Sequence, residues 1–304
     1  MTDIACCLAL TPEQTARLAS GLPPGFALRI VAPDDPCTAE IVFGNPDPGV
    51  VAANAALRWL QLESVGFGEY AALDWTRPAG PVQVSNLAGF FADPVAESAL
   101  AGILALGRGI DRLTRLQDRR EWDGDAIRAR LRLLRGARVL LFGHGAINRR
   151  LAELLAPFGC AITALARGWP EAALTRALAT ADIVVATVPA TPATAGLFDA
   201  ARFAALPAGA IFCNFGRGSL VVEADLDAAL RRGHLGGAVI DVTCDEPLPP
   251  DHPFWTAPNL ILTQHSGGGT ADEIDRKIDS FLSNLARYHA GEPPAGLVDF
   301  ARGY

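Results

Sequence analysis

Short apolar runs bounded by polar or glycine-containing turns alternate along this chain with longer segments in which apolar residues recur every three to four positions. Runs of that length read as strands buried on both faces, and the helical recurrence reads as amphipathic helices packed over them. In the first part of the chain the pattern predicts strands over Ile4–Leu10, Ala27–Val31, Glu40–Gly44, Trp59–Ser64 and Val82–Leu87, with helices over Pro12–Ser20 and Gly49–Ala56. A long helical pattern from Pro94 to about Arg115 reads as a bridge between domains, followed by the charged stretch Asp118–Gly124. Further on, a strand ending at Phe142 precedes strands over Cys160–Ala166, Asp182–Val188, Ala210–Cys213, Gly236–Val242 and Leu260–Thr263. Helices are expected over Arg149–Phe158, Ala200–Leu206, Glu223–Arg232 and Asp272–Ala290, the last packing back on the first domain ahead of the tail Leu297–Tyr304. Strand and helix alternate throughout, which predicts α/β construction with parallel sheets. Two doubly wound domains are expected, a smaller one split between residues 1–90 and 272–304 and a larger one over 91–271.

The turn Gly143-His144-Gly145-Ala146-Ile147 lies between the strand ending at Phe142 and a helical pattern, with a second strand beyond. A glycine pair in that context predicts a dinucleotide-binding turn, because residues without a Cβ let a pyrophosphate approach main-chain N–H groups at the positive end of a helix. The third glycine of the usual fingerprint is replaced by Asn148, so either the helix sits slightly off the strand or the amide finds a partner. Where a ribose-binding carboxylate is usual, the second strand ends in Ala166-Arg167. A carboxylate there would repel a 2′-phosphate, whereas arginine pairs with one, so NADP is expected to be preferred, with NAD possible.

Three polar residues follow apolar runs: Arg217 in CNFGRGSLV, Glu246 in IDVTCDEPLP and His265 in LILTQHSGGGT. Each would stand at the carboxyl edge of a buried strand, where open α/β sheets bind ligands. A fixed cation, a proton-transferring imidazole and a carboxylate that tunes it are the groups that hydride transfer to a 2-oxo acid requires. Among the five histidines, only His265 combines a strand-end position with three following glycines that leave room for a ligand.

Composition narrows the function classes. With 304 residues, half of them hydrophobic, the chain can bury the cores of about two domains. Its net charge of -7, with arginines dispersed among acids, argues against nucleic acid and against a polybasic membrane contact. The apolar pattern Ser98–Leu106 is shorter than the ~20 residues that cross a bilayer. Ile4–Leu10 lacks the basic flank of a signal peptide, so a soluble, cytoplasmic protein is expected. Six cysteines without CxxC spacing predict neither a metal nor a redox site.

Several motifs together resemble the D-isomer-specific 2-hydroxyacid dehydrogenases, the group that includes glyoxylate/hydroxypyruvate reductases. They are SVGFG (64–68), SNLAG with VAES (85–89, 95–98), the glycine turn, TVPATPATAG (187–196), NFGRGSLVVEADLDAAL (214–230), GGAVIDVTCDEPLP (236–249) and NLILTQHSGGGT (259–270). Arg217 and Glu246 lie 29 residues apart, the family interval, and Glu246 and His265 lie 19 apart. The resemblance implies a Rossmann cofactor domain inserted in a flavodoxin-like substrate domain. It makes Arg217 the substrate anchor, His265 the general acid/base and Glu246 the carboxylate that favours the charged imidazole. It further implies that Asp241 holds the nicotinamide amide, that Val188, Pro189 and Thr194 line the adenosine side, and that Phe215 and Gly216 line the nicotinamide side, with Gly267 and Gly268 beside the cofactor. Backbone N–H groups of Val65, Gly66 and Phe67 would meet the substrate carboxylate. The family's proline before the histidine is Gln264 in this chain. A homodimer is expected from the resemblance and from Ile103, Leu104 and Leu106, which spread over more than one face of the long helix. Two rival functions share the fold: a nicotinamide-sensing corepressor, which would need a partner-docking surface, and a formate-type dehydrogenase, whose pattern has glutamine where Glu246 stands.

Overall fold

The computed structural model describes residues 1–78 and 80–300, so the end of the predicted tail, Ala301–Tyr304, lies outside the described residues. Two compact units form, one from Met1–Phe90 with the segment from Thr270 onward, the other from Phe91–Gly269.

In the first unit, β1 (Thr2–Cys6), α1 (Pro12–Ser20), β2 (Phe26–Ile30), β3 (Ile41–Phe43), α2 (Pro48–Ala53) and β4 (Trp59–Gln61) are followed by the two-residue strands β5 (Thr76–Arg77) and β6 (Gly80–Pro81) and by β7 (Gln83–Ser85). The main sheet is parallel, with the flavodoxin-like order β2-β1-β3-β4-β7. β1 ends four residues before the predicted Leu10, because β3 pairs only as far as Cys6 and Thr11 already caps α1 in a reciprocal box with Gln14. The C-terminal helix Glu273–His289 packs on this sheet, where Phe281 stacks on Phe43 and Trp59 at centroid distances of 4.4 and 5.4 Å. Buried polar groups stitch the same contact: Gln61 Oε1 accepts from Ser85 Oγ and Asn284 Nδ2, and Trp59 Nε1 donates to Ser85 Oγ. Each is paired, as burial requires.

The second unit contains α3 (Ala92–Arg108), α4 (Ile110–Arg119), α5 (Gly124–Arg128), β8 (Arg138–Phe142), α6 (Ala146–Leu155), β9 (Ala161–Leu165), α7 (Glu171–Leu178) and β10 (Ile183–Ala186). It continues with α8 (Ala200–Ala205), β11 (Ile211–Asn214), α9 (Glu223–Arg231), β12 (Gly237–Ile240) and β13 (Leu260–Leu262). All six strands are parallel, in the order β13-β12-β11-β10-β8-β9. Alternate residues feed two cores: Val139, Leu141, Val185 and Val239 join α3 and α6 on one face, and Leu140, Phe142, Val184 and Phe212 meet the α7–α9 side on the other. The order reverses beside β8, so the carboxyl ends of β8 and β10 form a topological switch point, where doubly wound sheets bind ligands.

Two expectations are corrected. The long Pro94–Arg115 helix is two helices, broken at Gly109, whose φ of 64° is the left-handed conformation glycine adopts without strain. The first of the two, α3, belongs wholly to the second unit, which begins at Phe91; Ile103 is buried there, and Leu104 and Leu106 pack on the same core while staying partly exposed. In addition, α6 begins at Ala146 rather than Arg149, directly from the glycine turn, and α7 was not anticipated.

Candidate active site

Three of the predicted residues meet at the carboxyl edge of β11–β13. His265 Nδ1 lies 2.7 Å from Glu246 Oε2, and the other carboxylate oxygen of Glu246 accepts the Thr243 amide at 2.9 Å. Burial pushes the Glu246 carboxyl up. That effect is outweighed by the hydrogen bonds from His265 and the Thr243 amide and by the charges of His265 and Arg217, which together hold it below the ordinary carboxylate range. Arg217 therefore acts electrostatically on the pair. Its own turn is bracketed by Asn214, which donates to Arg217 O at 2.9 Å and accepts the Gly216 amide at 3.1 Å. Beside the pair opens a cavity of about 430 Å³, with Thr243, Leu248, Trp255 and Gln264 in its wall.

The His265 loop takes a strained path. Gln264 and His265 have φ of 52° and 53°, both in the left-handed region, and the His265 amide donates to Asp241 O. Proline, locked near −65°, could not take the Gln264 conformation, so the departure from the family pattern is built into the backbone. Asp241 is buried, and its Oδ1 accepts both Thr263 Oγ1 at 2.6 Å and the Gly267 amide at 3.0 Å. A side chain at Gly267 would press on the Asp241 carboxylate, and one at Gly268 on Phe91, so these glycines serve the chain's own packing rather than leaving open room.

At the switch point, Gly143 has φ 99°, and a Cβ there would crowd Thr187 and Val188. Above Gly145 a Cβ would meet nothing within 4 Å. Gly145 offers no side-chain cap to α6, so the first-turn amides are available to an anion, and the Thr187 hydroxyl is buried without a partner. Such a turn fits the pyrophosphate of a dinucleotide. Asn148 resolves its own anomaly: fully buried, its Nδ2 donates to Gly143 O at 2.7 Å and reaches Phe142 O and Val185 O at 3.3 Å, tying the turn to both adjacent strands. His144 is exposed, while Ala146 and Ile147 are half-buried at the helix start. Arg167 is exposed just past the end of β9, whose Leu165 O accepts the Gly143 amide at 2.9 Å.

Other predicted contacts fall differently. Thr194 is buried, with its hydroxyl spent on Pro189 O and on the Thr191 amide, so it shapes the loop that carries exposed Pro189. Val188 and Phe215 are buried in the two cores, and Gly216 lies against the Val188 backbone. In the first unit, Val65 and Gly66 are exposed and Phe67 is half-buried. Their loop is held by Asn86, which donates to Val65 O at 2.8 Å, and by Ser64, which donates to Gly66 O at 2.7 Å. Among the described residues no three His, Cys, Asp or Glu side chains are placed to hold a metal ion, and no helix is long and apolar enough to cross a membrane. Asn214, Thr243 and Thr263 were missed by sequence reading; only Asn214, directly before a glycine turn, carried a local signal.

The model of the D-isomer specific 2-hydroxyacid dehydrogenase NAD binding domain matches residues 100–267. A glyoxylate/hydroxypyruvate reductase A from Yersinia enterocolitica is 33% identical over 174 residues, 54% of this chain and 55% of that protein, so the match spans about half the length of that relative. A D-isomer specific 2-hydroxyacid dehydrogenase from Xanthobacter autotrophicus Py2, solved with NADPH and MES, superimposes with TM-score 0.82 at 28% identity, covering 100% of this chain and 99% of that one. An NADPH-dependent glyoxylate/hydroxypyruvate reductase from Sinorhizobium meliloti, solved with NADP and sulfate, has TM-score 0.81 at 25% identity and covers all of both chains. With a family match over more than half its length and a strand-edge site of this form, the chain belongs to the D-isomer specific 2-hydroxyacid dehydrogenases, a family of nicotinamide-dependent oxidoreductases.

Proposed function

We propose that the protein reduces a small 2-oxo acid of the glyoxylate or hydroxypyruvate class to the D-2-hydroxy acid, with NADPH preferred and NADH as the weaker donor. The observation that carries this reading is the 2.7 Å contact between His265 Nδ1 and Glu246, with Arg217 acting on the same carboxylate. Because Nδ1 is engaged by Glu246, the other ring nitrogen of His265 is left to deliver a proton to the substrate oxygen at C2. Glu246 stabilises the imidazolium that makes this delivery. Arg217 offers a planar fork that pairs with the substrate carboxylate and polarises the carbonyl, a geometry lysine lacks. The loop Val65-Gly66-Phe67, exposed at Val65 and Gly66, would offer backbone N–H groups to the substrate carboxylate. A reduced nicotinamide, when bound, supplies the hydride. The glycine turn Gly143–Ile147 would hold its pyrophosphate, Val188, Pro189 and Thr194 the adenosine side, Phe215, Gly216 and Asp241 the nicotinamide side, and Arg167 a 2′-phosphate.

The name of the Yersinia relative and the NADP complex of the Sinorhizobium reductase support the substrate class and the cofactor. On this reading residues 91–271 form the cofactor domain and the remainder the substrate domain, the protein is a homodimer, and its six unpaired cysteines suit the cytoplasm. The test is a panel of 2-oxo acids assayed with both reduced nicotinamides. NADPH should win by roughly ten- to a hundredfold in kcat/KM, since a charge-assisted hydrogen bond contributes ~1.5–3 kcal/mol. Arg167→Ala should weaken NADPH alone, and Arg217→Ala or His265→Ala should cost at least ~10²-fold in turnover while nucleotide still binds. Near-normal turnover by either active-site variant would refute the assignment.

A further inference from the structure

The site depends on two loops holding their register: the turn after β11, which carries Arg217, and the loop after β12, which carries Glu246. They touch through backbone at Gly218, where a Cβ would overlap the Thr243 carbonyl and the Cys244 amide. Five residues beyond Gly218, Glu223 opens α9. An acidic residue at a helix start ordinarily serves the helix itself, through its dipole or through a cap. In this chain α9 has no side-chain cap, and both carboxylate oxygens of Glu223 are turned elsewhere. Oε1 accepts the Cys244 amide at 2.9 Å. Oε2 lies 3.3 Å from His252 Nε2, in a pair whose side chains are only 16% and 19% exposed. His252 Nδ1 accepts the Phe254 amide at 3.3 Å, which leaves the ring proton on Nε2, facing Glu223. The Cys244 amide adjoins the Thr243 peptide, whose own N–H binds Glu246.

We propose that Glu223 is a positioning residue for the reaction, a latch that fixes the Thr243–Glu246 loop against the Arg217 turn and so sets the distance between the carbonyl-polarising cation and the imidazole–carboxylate pair. This rests on the functional reading above. The latch works by reach, because an oxygen must meet the Cys244 amide; a helix-start role works by charge. Two substitutions separate them. Glu223→Asp keeps the charge but draws the oxygens back by one methylene, whereas Glu223→Gln gives up the charge and the His252 contact but keeps an acceptor oxygen at full length for the Cys244 amide.

The experiment measures, on the full chain, hydrogen exchange of the 242–248 segment, nucleotide affinity, and kcat and KM for the best oxo acid. In Glu223→Asp, exchange of the Thr243–Asp245 amides should rise and kcat should fall, each by about tenfold, with nucleotide affinity within about twofold of wild type. Glu223→Gln should stay within about threefold of wild type in both. Combined with Glu246→Gln, the aspartate variant should add little to the loss caused by Glu246→Gln alone, since the latch acts through that carboxylate. The reverse ranking, with Gln impaired and Asp normal, or full additivity in the double variant, overturns the proposal in favour of a charge at the helix start. A wild-type protein that reduces no oxo acid would sink the functional reading, while the exchange data still decide whether Glu223 holds the loop. An active wild type matched by its aspartate variant sinks the latch alone.

Discussion

Glu246 is half-exposed, yet it sits where two hydrogen-bond donors and the charge of a guanidinium converge. Burial raises its carboxyl, and the His265 and Thr243 hydrogen bonds with the neighbouring positive charges lower it by more, so it stays ionised through mildly acidic solution. An anion beside an imidazole favours the imidazolium, the form that would donate the proton in the proposed reduction. Removing it in Glu246→Gln should leave reduction intact at acidic pH and move the alkaline limb of the kcat/KM profile to lower pH; an unchanged limb would show the two groups uncoupled. The places of His265, Arg217 and Glu246 at one strand edge were legible because charge at the end of an apolar run is conspicuous. Those of Asn214, Thr243, Thr263 and Glu223 were not, because each acts on a backbone group or side chain brought to it by the fold. Asn148 shows the halfway case: the missing glycine could be seen, whereas the three carbonyls that occupy its amide belong to the turn and to two different strands.

Among the elements, α3 meets the sheet through a glycine. Its Gly102 faces Val239 of β12, and a Cβ there would come within 2.8 Å of both valine methyls. Alanine in place of a helix-interior glycine normally gains up to ~1 kcal/mol. The opposing cost is larger, because a buried β-branched valine has no rotamer to retreat into and overpacking costs ~1–3 kcal/mol. Gly102→Ala should therefore lower the melting temperature, and a stabilised variant would show that α3 can slide outward freely. Most strand positions, though not the two-residue β5 and β6, were readable to within a few residues, since apolar runs bounded by turn residues leave little ambiguity even where, as in β2 and β9, the strand is partly exposed. Helix limits were less so: periodicity ran through Gly109 because an amphipathic pattern does not register a single left-handed residue.

For the whole molecule, the expected homodimer now rests on other residues than those first considered. Ile103 is buried and Leu104 and Leu106 are partly buried within their own unit, whereas Ile110 and Leu113 of α4, with Trp122 and Leu133, are 52%, 39%, 98% and 72% exposed. Under the proposed homodimer, these exposed apolar side chains are the ones expected at the contact. Light scattering at micromolar concentration should give twice the 31.9 kDa chain mass, and Trp122→Ala combined with Leu133→Ser should shift it toward the monomer. A monomeric wild type would end the idea.

The first unit is discontinuous in the chain, and this bears on the order of events during synthesis. A ribosome delivers residues 1–90 before Phe91–Gly269, but the helix whose Phe281 stacks on Phe43 and Trp59 only after it. Until then one face of the nascent sheet, including fully buried Trp59 and Phe43, lacks its cover. The inserted unit has all its strands and both covering layers in one continuous segment and can close its core as it emerges. A chain stopped at Gly269 should thus yield, under limited proteolysis, a resistant fragment from the second unit and rapid loss of the first ninety residues; equal resistance of both parts would mean that the early sheet stands without its last helix. The ninety-residue head would be the stage at which a nascent chain depends most on a chaperone.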